Sequence, residues 1–332
     1  MSRVEANGVS FNVTELPRRT GPGGRRLPGP GTPVVLIHGL AASQAFWYAA
    51  GAPFLTLIGP CLMYDLRGHG KSATPATGYG VGSMADDLAA ILAARGWDRV
   101  HLVAHSFGGM IALAHALRRP ETVASLTLVD VRVRPIQKKI SIPVRKLPPV
   151  VERQLAEMGV DLGAIPEHDD GVGYLRTVAR IEVEAGDMAA DLLAQIYRHP
   201  RLFRSRKTAE RWIDLTERVS LIADLDGEES FAAADLRRLA MPMLVMAGGE
   251  SSTLPSARGI ARLCPQAILK EVPGVGHFFP MTQPRLFLRP ALRFLRAVET
   301  GRARAGADLP DRMPDRARAR PHADTQPDPQ PD

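Results

Sequence analysis

Residues Arg99–Leu113, RVHLVAHSFGGMIAL, constrain this chain more than any other stretch. Val100, Leu102 and Val103 form a short apolar run of the kind buried in a parallel sheet. Met110, Ile111, Ala112 and Leu113, followed by Ala114, Ala116 and Leu117, are good helix formers carrying an apolar face. Between them lies Ala104-His105-Ser106-Phe107-Gly108-Gly109. A strand that turns straight into a helix around one serine holds that residue in a strained backbone. The two elements pass closely only if the neighbours are small, and Ala104, Gly108 and Gly109 are. Such a turn pushes the hydroxyl out past the end of the sheet, beside a helix N-terminus. There the unpaired N–H groups and the helix dipole favour a developing negative charge.

The rest of the chain alternates strand and helix around this unit. Residues 3–16 read as two short strands around Asn7-Gly8, a strong hairpin signal. A loop rich in Pro, Gly and Arg follows over 17–33, and then the apolar strand Val34–Ile37 runs into His38-Gly39-Leu40. A helical stretch over Gln44–Leu57 and a strand at Cys61–Tyr64 lead to Asp65-Leu66-Arg67-Gly68-His69-Gly70-Lys71-Ser72. Ser83, with Asp86 and Asp87 behind it, has the pattern of a helix N-cap. Val123–Asp130 is a further strand; Met243–Ala247 and Ile268–Val272 resume the sheet, and a last helix spans Pro284–Val298. This alternation predicts an α/β fold with a doubly wound, mostly parallel sheet.

Over 132–235 the strand rhythm stops, and amphipathic helical segments appear at Val150–Met158, Gly173–Glu184, Met188–Tyr197 and Ala209–Leu221. The expected organisation is therefore a core of 1–131 and 236–300 with an inserted helical cap at 132–235. Beyond Gly301 the chain is rich in Arg, Asp and Pro and poor in apolar residues, so 301–332 is expected to be a disordered tail.

Composition narrows the function. At 332 residues, 45% hydrophobic and 23% charged, the chain can bury a large core. No apolar run approaches the roughly 20 residues of a membrane span. The start, MSRVEANGVSFNV, lacks the charged-then-apolar layout of a secretory signal, which points to a cytoplasmic protein. Cys61 and Cys264 read as free buried thiols. A net charge of +7 with only 5% aromatic residues and no zinc-ligand spacing argues against nucleic acid as a partner. The sequence contains nothing that fixes the oligomeric state.

Four landmarks together carry a resemblance over about residues 3–300. They are His38-Gly39 after a strand, Asp65-x-Arg67-Gly68-His69-Gly70-x-Ser72, the Ser106 turn, and Gly276-His277-Phe278 after the last strand. In this order they resemble the α/β-hydrolases, in particular bacterial esterase-like serine hydrolases with a helical cap. The resemblance implies Ser106 as nucleophile, His277 as base, and an oxyanion hole made by the main-chain N–H groups of Leu40 and Phe107. The chemistry needs each part. A serine hydroxyl is a weak nucleophile until a base takes its proton, and neutral imidazole has a pKa near the working pH. A tetrahedral oxyanion in turn needs fixed donors.

The acid departs from the family's usual pattern, Gly-x-x-Asp-x-x-x-Pro. Here the stretch is Gly248-Gly249-Glu250-Ser251-Ser252-Thr253-Leu254-Pro255, and the aspartate slot aligns with Ser251. A serine cannot offset the charge of an imidazolium. Asp130, at the end of the strand after the turn's helix, is preferred, with Glu250 as the alternative. Asp65 and Arg67 read as pins for their loop, and His38, His69 and His105 read as structural more than chemical. Phe46, Trp47 and Phe278, with Phe107 and Met110, are candidates for the substrate pocket. The expected function is cleavage of a small-molecule carboxylic ester or thioester, in some cases carrier-linked, without metal or organic cofactor. Two alternatives stand beside it. One is another reaction on the same fold, such as carbon–carbon bond hydrolysis, peracid formation or acyl transfer. The other is a non-catalytic binding or scaffold protein, which the altered 248–255 stretch favours.

Overall fold

The computed structural model describes residues 2–302 apart from 22–23, 25–27, 141–147, 161–170, 197–205 and 228–229. β1 (Ser2–Ala6) and β2 (Val9–Leu16) form the expected hairpin, turned by Asn7 and Gly8 at φ 46° and 71°. β3 (Val34–Ile37) follows, wholly buried. The helical stretch after it divides into α1 (Ala45–Ala49) and α2 (Ala52–Leu55), because Gly51 between them takes φ 88°. β4 (Cys61–Tyr64) precedes α3 (Val81–Ala94), which begins on an extended Gly80 with no side-chain cap. Ser83 is thus the third residue of that helix and not its cap. Asp87 does not serve the helix start either: it is buried against Arg67, accepting from Nε at 2.7 Å.

β5 (Val100–His105), α4 (Phe107–Arg118) and β6 (Val123–Val129) come next. Among the described residues, the segment up to the next strand contains only helices: α5 (Pro149–Glu157), α6 (Val172–Glu184), α7 (Ala189–Ile196), α8 (Arg206–Arg218), α9 (Leu221–Asp226) and short 3-10 turns. β7 (Met243–Gly248), α10 (Leu254–Leu263), β8 (Ala267–Val272), α11 (Phe279–Thr282) and α12 (Pro284–Glu299) complete the described chain. The eight strands lie in the order β1-β2-β4-β3-β5-β6-β7-β8. From β4 to β8 every neighbouring pair is parallel, while β2 joins β4 antiparallel.

Alternate residues of the central strands feed two different cores, as the two-residue period of a strand requires. Val35, Ile37 and Leu102 face one core with α3, α4 and α10, and the helices between β6 and β7 contribute to the same cluster. Val34, Leu36 and Val103 face the other, closed by α1, α2 and α12. Each such side chain, fully buried, contributes on the order of 1.5–3 kcal/mol. Trp47 belongs to this second core and is fully buried, its ring 5.7 Å from that of Phe287. It is therefore a packing residue, and the expectation that it lines a substrate pocket is corrected.

Between β6 and β7, α6 packs on α8, with Tyr174, Val178 and Ile181 on one side and Ala209, Trp212 and Leu215 on the other buried in the shared core. Asp224 of α9 ties this helical segment to the loop before α3. Its carboxylate accepts the main-chain N–H groups of Gly78 (2.8 Å) and Tyr79 (2.7 Å) and the hydroxyl of Ser220 (2.6 Å). The expected tail lies outside the described residues beyond 302. Cys61 and Cys264 are both free and buried. No helix among the described residues is long and apolar enough to cross a membrane.

At the start of the central strands, the end of α12 is tied to the entry of β3. Glu299 accepts from Gly31 N–H (2.7 Å) and Thr32 N–H (3.4 Å), and pairs with His101 Nε2 at 3.2 Å. Burial works to raise the Glu299 pKa, but the bonds from His101, Thr32 and Gly31 overcome it and hold the group down at about 2. An unfolded Glu titrates near 4.3, so this clasp stabilises the fold fully above that pH and is lost as pH falls towards the native value. Glu299→Gln is expected to lower unfolding stability by about 1–3 kcal/mol at pH 7. Urea unfolding of the two proteins at pH 7 and pH 3 checks this, since the gap between them should narrow at the lower pH.

Candidate active site

Ser106 stands between β5 and α4 with φ 54° and ψ −127°, a conformation that side chains other than glycine rarely hold. Its amide donates to Val129 O (3.1 Å) and its carbonyl accepts from Gly109 N–H (2.9 Å), so both neighbours brace the strained residue. Close passage demands the glycine after Phe107. A Cβ on Gly108 would fall 2.5 Å from Ile37 O and 2.6 Å from His38 O. The turn predicted from small residues is thus present for the predicted steric reason.

The loop after β8 brings His277 to the same sheet end. It comes in close because β7 ends in Gly248, where a Cβ would lie 2.4 Å from Val275 O. Ser106 Oγ–H donates to His277 Nε2 across 3.1 Å, and His277 Nδ1–H donates to Asp130 Oδ1 across 2.7 Å. Asp130 follows β6 with φ 53°, a left-handed conformation that the short polar side chains of Asp and Asn tolerate. Its amide donates to Met246 O (2.7 Å), so the strand β7 fixes the backbone that carries the carboxylate.

Asp130 is fully buried, whereas Glu250 is exposed and its main chain bonds to Val275 O (3.0 Å). The carboxylate that meets His277 is therefore Asp130, not Glu250. Burial works to raise the Asp130 pKa; the hydrogen bonds and charge of His277, with Gly248 N–H and Ser251, outweigh it and hold the group below the usual carboxylate range. Its contribution to stability is thus present above the unfolded pKa of about 3.9 and is lost as pH falls through the native value.

His105 turns inward. It is 2% exposed, its ring stacks on Phe46 at 4.3 Å, and Nε2–H donates to the His277 carbonyl at 3.0 Å. Burial, with the neighbouring His277, pushes its pKa down to about 3, so it is a neutral donor throughout the working range. His38 bonds Gly39 O (2.8 Å) through Nδ1 and accepts Leu66 N–H (3.0 Å) at Nε2. His69 bonds Arg67 O (2.9 Å). Asp65 accepts from Asn12 Nδ2 (2.7 Å), Gln44 N–H (2.8 Å) and Lys71 N–H (2.9 Å), pinning its loop as expected.

A cavity of about 1190 Å³ opens beside Ser106 and His277. Phe46, Phe107, Phe278 and Met110, the remaining pocket candidates, line it, and so does Leu40. Phe107 is the first residue of α4, where N–H groups have no partner within the helix, and Leu40 lies in the turn after β3. The segment between β6 and β7 adds Ile140, Tyr174 and Thr208 to the wall, residues that no local pattern marks as pocket-lining. The hydroxyls of Ser251 and Thr253 on Asp130 were equally hidden. The single hint is that Ser251-Ser252-Thr253 clusters hydroxyls just past the end of a strand. Among the described residues no group of three His, Cys, Asp or Glu is placed to hold a metal ion.

The chain belongs to the alpha/beta hydrolase fold family, which it matches over residues 32–284. It is 28% identical over 269 residues to "Putative carbamate hydrolase RutD" of Caulobacter sp. (strain K31), covering 79% of this chain and 90% of that protein. The protein of the same name from Variovorax paradoxus (strain S110) is 40% identical over 109 residues, a match spanning 32% of this chain and 41% of that one. Among solved structures, a thermophilic esterase from Thermogutta terrifontis superimposes with a TM-score of 0.56 at 22% identity, covering 90% of this chain and 100% of the other. At that identity the likeness concerns the fold.

If Asp130 orients His277, Asp130→Asn is expected to slow covalent labelling of Ser106 by a fluorophosphonate by on the order of 10³–10⁴-fold. Glu250→Gln should change it far less. Measuring the two labelling rates side by side decides between the carboxylates.

Proposed function

We propose that this hydrolase-type enzyme cleaves a carboxylic ester or thioester through an acyl-enzyme intermediate on Ser106. The observation that carries this reading is the unbroken chain Ser106 Oγ–His277 Nε2 and His277 Nδ1–Asp130 Oδ1, at 3.1 and 2.7 Å, opening on the cavity. Ser106 Oγ attacks the carbonyl carbon while its proton passes to His277 Nε2. Asp130 holds the ring in the correct tautomer and offsets the imidazolium charge. The oxyanion of the tetrahedral intermediate lies against the N–H groups of Leu40 and Phe107 at the start of α4. The imidazolium returns the proton to the departing alcohol or thiol, leaving Ser106 acylated. Water, deprotonated by the same imidazole, then releases the acid and restores the hydroxyl.

The cavity exceeds the ~300–1,000 Å³ typical of small-ligand sites, which supports a substrate with a sizeable apolar acyl group. In this reading the helices between β6 and β7 form a lid that shields the acyl-enzyme from water, with Tyr174 and Ile140 over the acyl chain. A carbamate, the substrate named for the relatives, has the same kind of carbonyl centre but would fill little of this space. The altered 248–255 stretch no longer argues for a scaffold role, because the carboxylate it lacks is present at Asp130.

A panel of p-nitrophenyl esters and acyl thioesters of graded chain length, with a carbamate alongside, tests the reading. Turnover is expected to rise from acetyl to medium-length chains and to vanish in Ser106→Ala. Full turnover of every compound by Ser106→Ala would sink the acyl-enzyme.

A further inference from the structure

The Asp130 carboxylate receives four hydrogen bonds, and only one of them comes from the base. Oδ2 accepts Gly248 N–H (2.7 Å), while Oδ1, the oxygen that holds His277, also accepts the hydroxyls of Thr253 (2.6 Å) and Ser251. The two hydroxyls lie 3.2 Å apart and are themselves nearly buried, Ser251 at 8% and Thr253 at 4% exposure. Oδ1 of this fully buried carboxylate is thus met by three donors and Oδ2 by one. Donors aimed at the oxygens favour the charged form, because a proton on Oδ1 would be set against them. From the structure we infer that Ser251 and Thr253 are positioning residues, a hydroxyl clamp that keeps Asp130 ionised and aimed at His277.

The inference rests on the triad reading above. Two effects of the clamp act in one direction. It lowers the Asp130 pKa by bonding the charged form, and it shares the charge on the oxygen that faces His277. The other titratable groups around Asp130 do not substitute for it. His105 at the end of β5 is neutral, Glu250 after β7 is exposed, and Arg132, two residues on, donates to Gln137 O (3.2 Å) and Lys138 O (2.6 Å). Without the hydroxyls the Asp130 pKa rises, and Oδ1 faces the ring of His277 with fewer competing donors.

The test is the second-order rate of fluorophosphonate labelling of Ser106 across about pH 4 to 9, where the acidic limb reports the free enzyme's base. In Ser251→Ala, Thr253→Val and the double variant, the limb is expected to move upward, by about one pH unit in the double. Thr253→Ser, which keeps the hydroxyl, should hold the limb at its wild-type position. Thermal unfolding of each protein is followed in parallel, and the single variants carry the test if the double does not fold. A role confined to packing would lower stability or the labelled fraction at every pH and leave the limb in place; that result overturns the clamp. An Asp130→Asn protein labelled at the wild-type rate would instead overturn the triad reading itself.

Discussion

The strained serine between β5 and α4 is the constraint that the rest of the molecule serves. A positive φ at a non-glycine residue costs on the order of 1–3 kcal/mol, and it persists only where surroundings over-determine it. Here the amide of Ser106 is held by the end of β6, its carbonyl by α4, and the helix itself by near-contact of Gly108 with the end of β3. Three consecutive strands of the sheet thus fix one hydroxyl. The two-sided core behind them gives the rigidity that such a geometry needs.

The same sheet end solves a second problem, how to keep a charge in a place without water. Asp130 sits on β6 rather than after β7, and what β7 supplies is the solvation that burial removes: one amide from Gly248 and hydroxyls from the loop that follows. A carboxylate and its solvating groups come from neighbouring strands, so their spacing is set by the sheet register. Arg67 with Asp87, and Glu299 with His101, show the same economy elsewhere, each buried charge meeting donors from another element.

Much of this was legible in the sequence because it depends on local rules. Apolar runs bounded by glycine located the strands, the Asn7-Gly8 turn marked the hairpin, and small residues around Ser106 marked the turn. What the sequence could not resolve depends on contacts far apart in the chain. Trp47 carries the same local signature as Phe46, yet one faces the core and the other the cavity, since the short α1 points them in different directions. The choice between Asp130 and Glu250 turns on the side chain's burial, which only the docking of β7 against β6 decides. The serine-acid spacing at Ser83 fits a cap, but the chain enters α3 three residues earlier, through an extended Gly80. At Ser251 the local pattern shows a missing acid, while the carboxylate its hydroxyl and that of Thr253 serve lies 121 and 123 positions away.

The bond between Ser106 and His277 spans 171 positions, and the clasp from Gly31 to Glu299 spans 268. Closing loops this long costs entropy, which the packing of the whole sheet must offset. The turn at Ser106 is built from β3, β5 and α4 alone, whereas the imidazole beside it is carried by the loop after β8. The two side chains therefore meet only where both ends of the chain's long span are docked on one sheet, and loss of β8 from the sheet would part them with the turn itself intact.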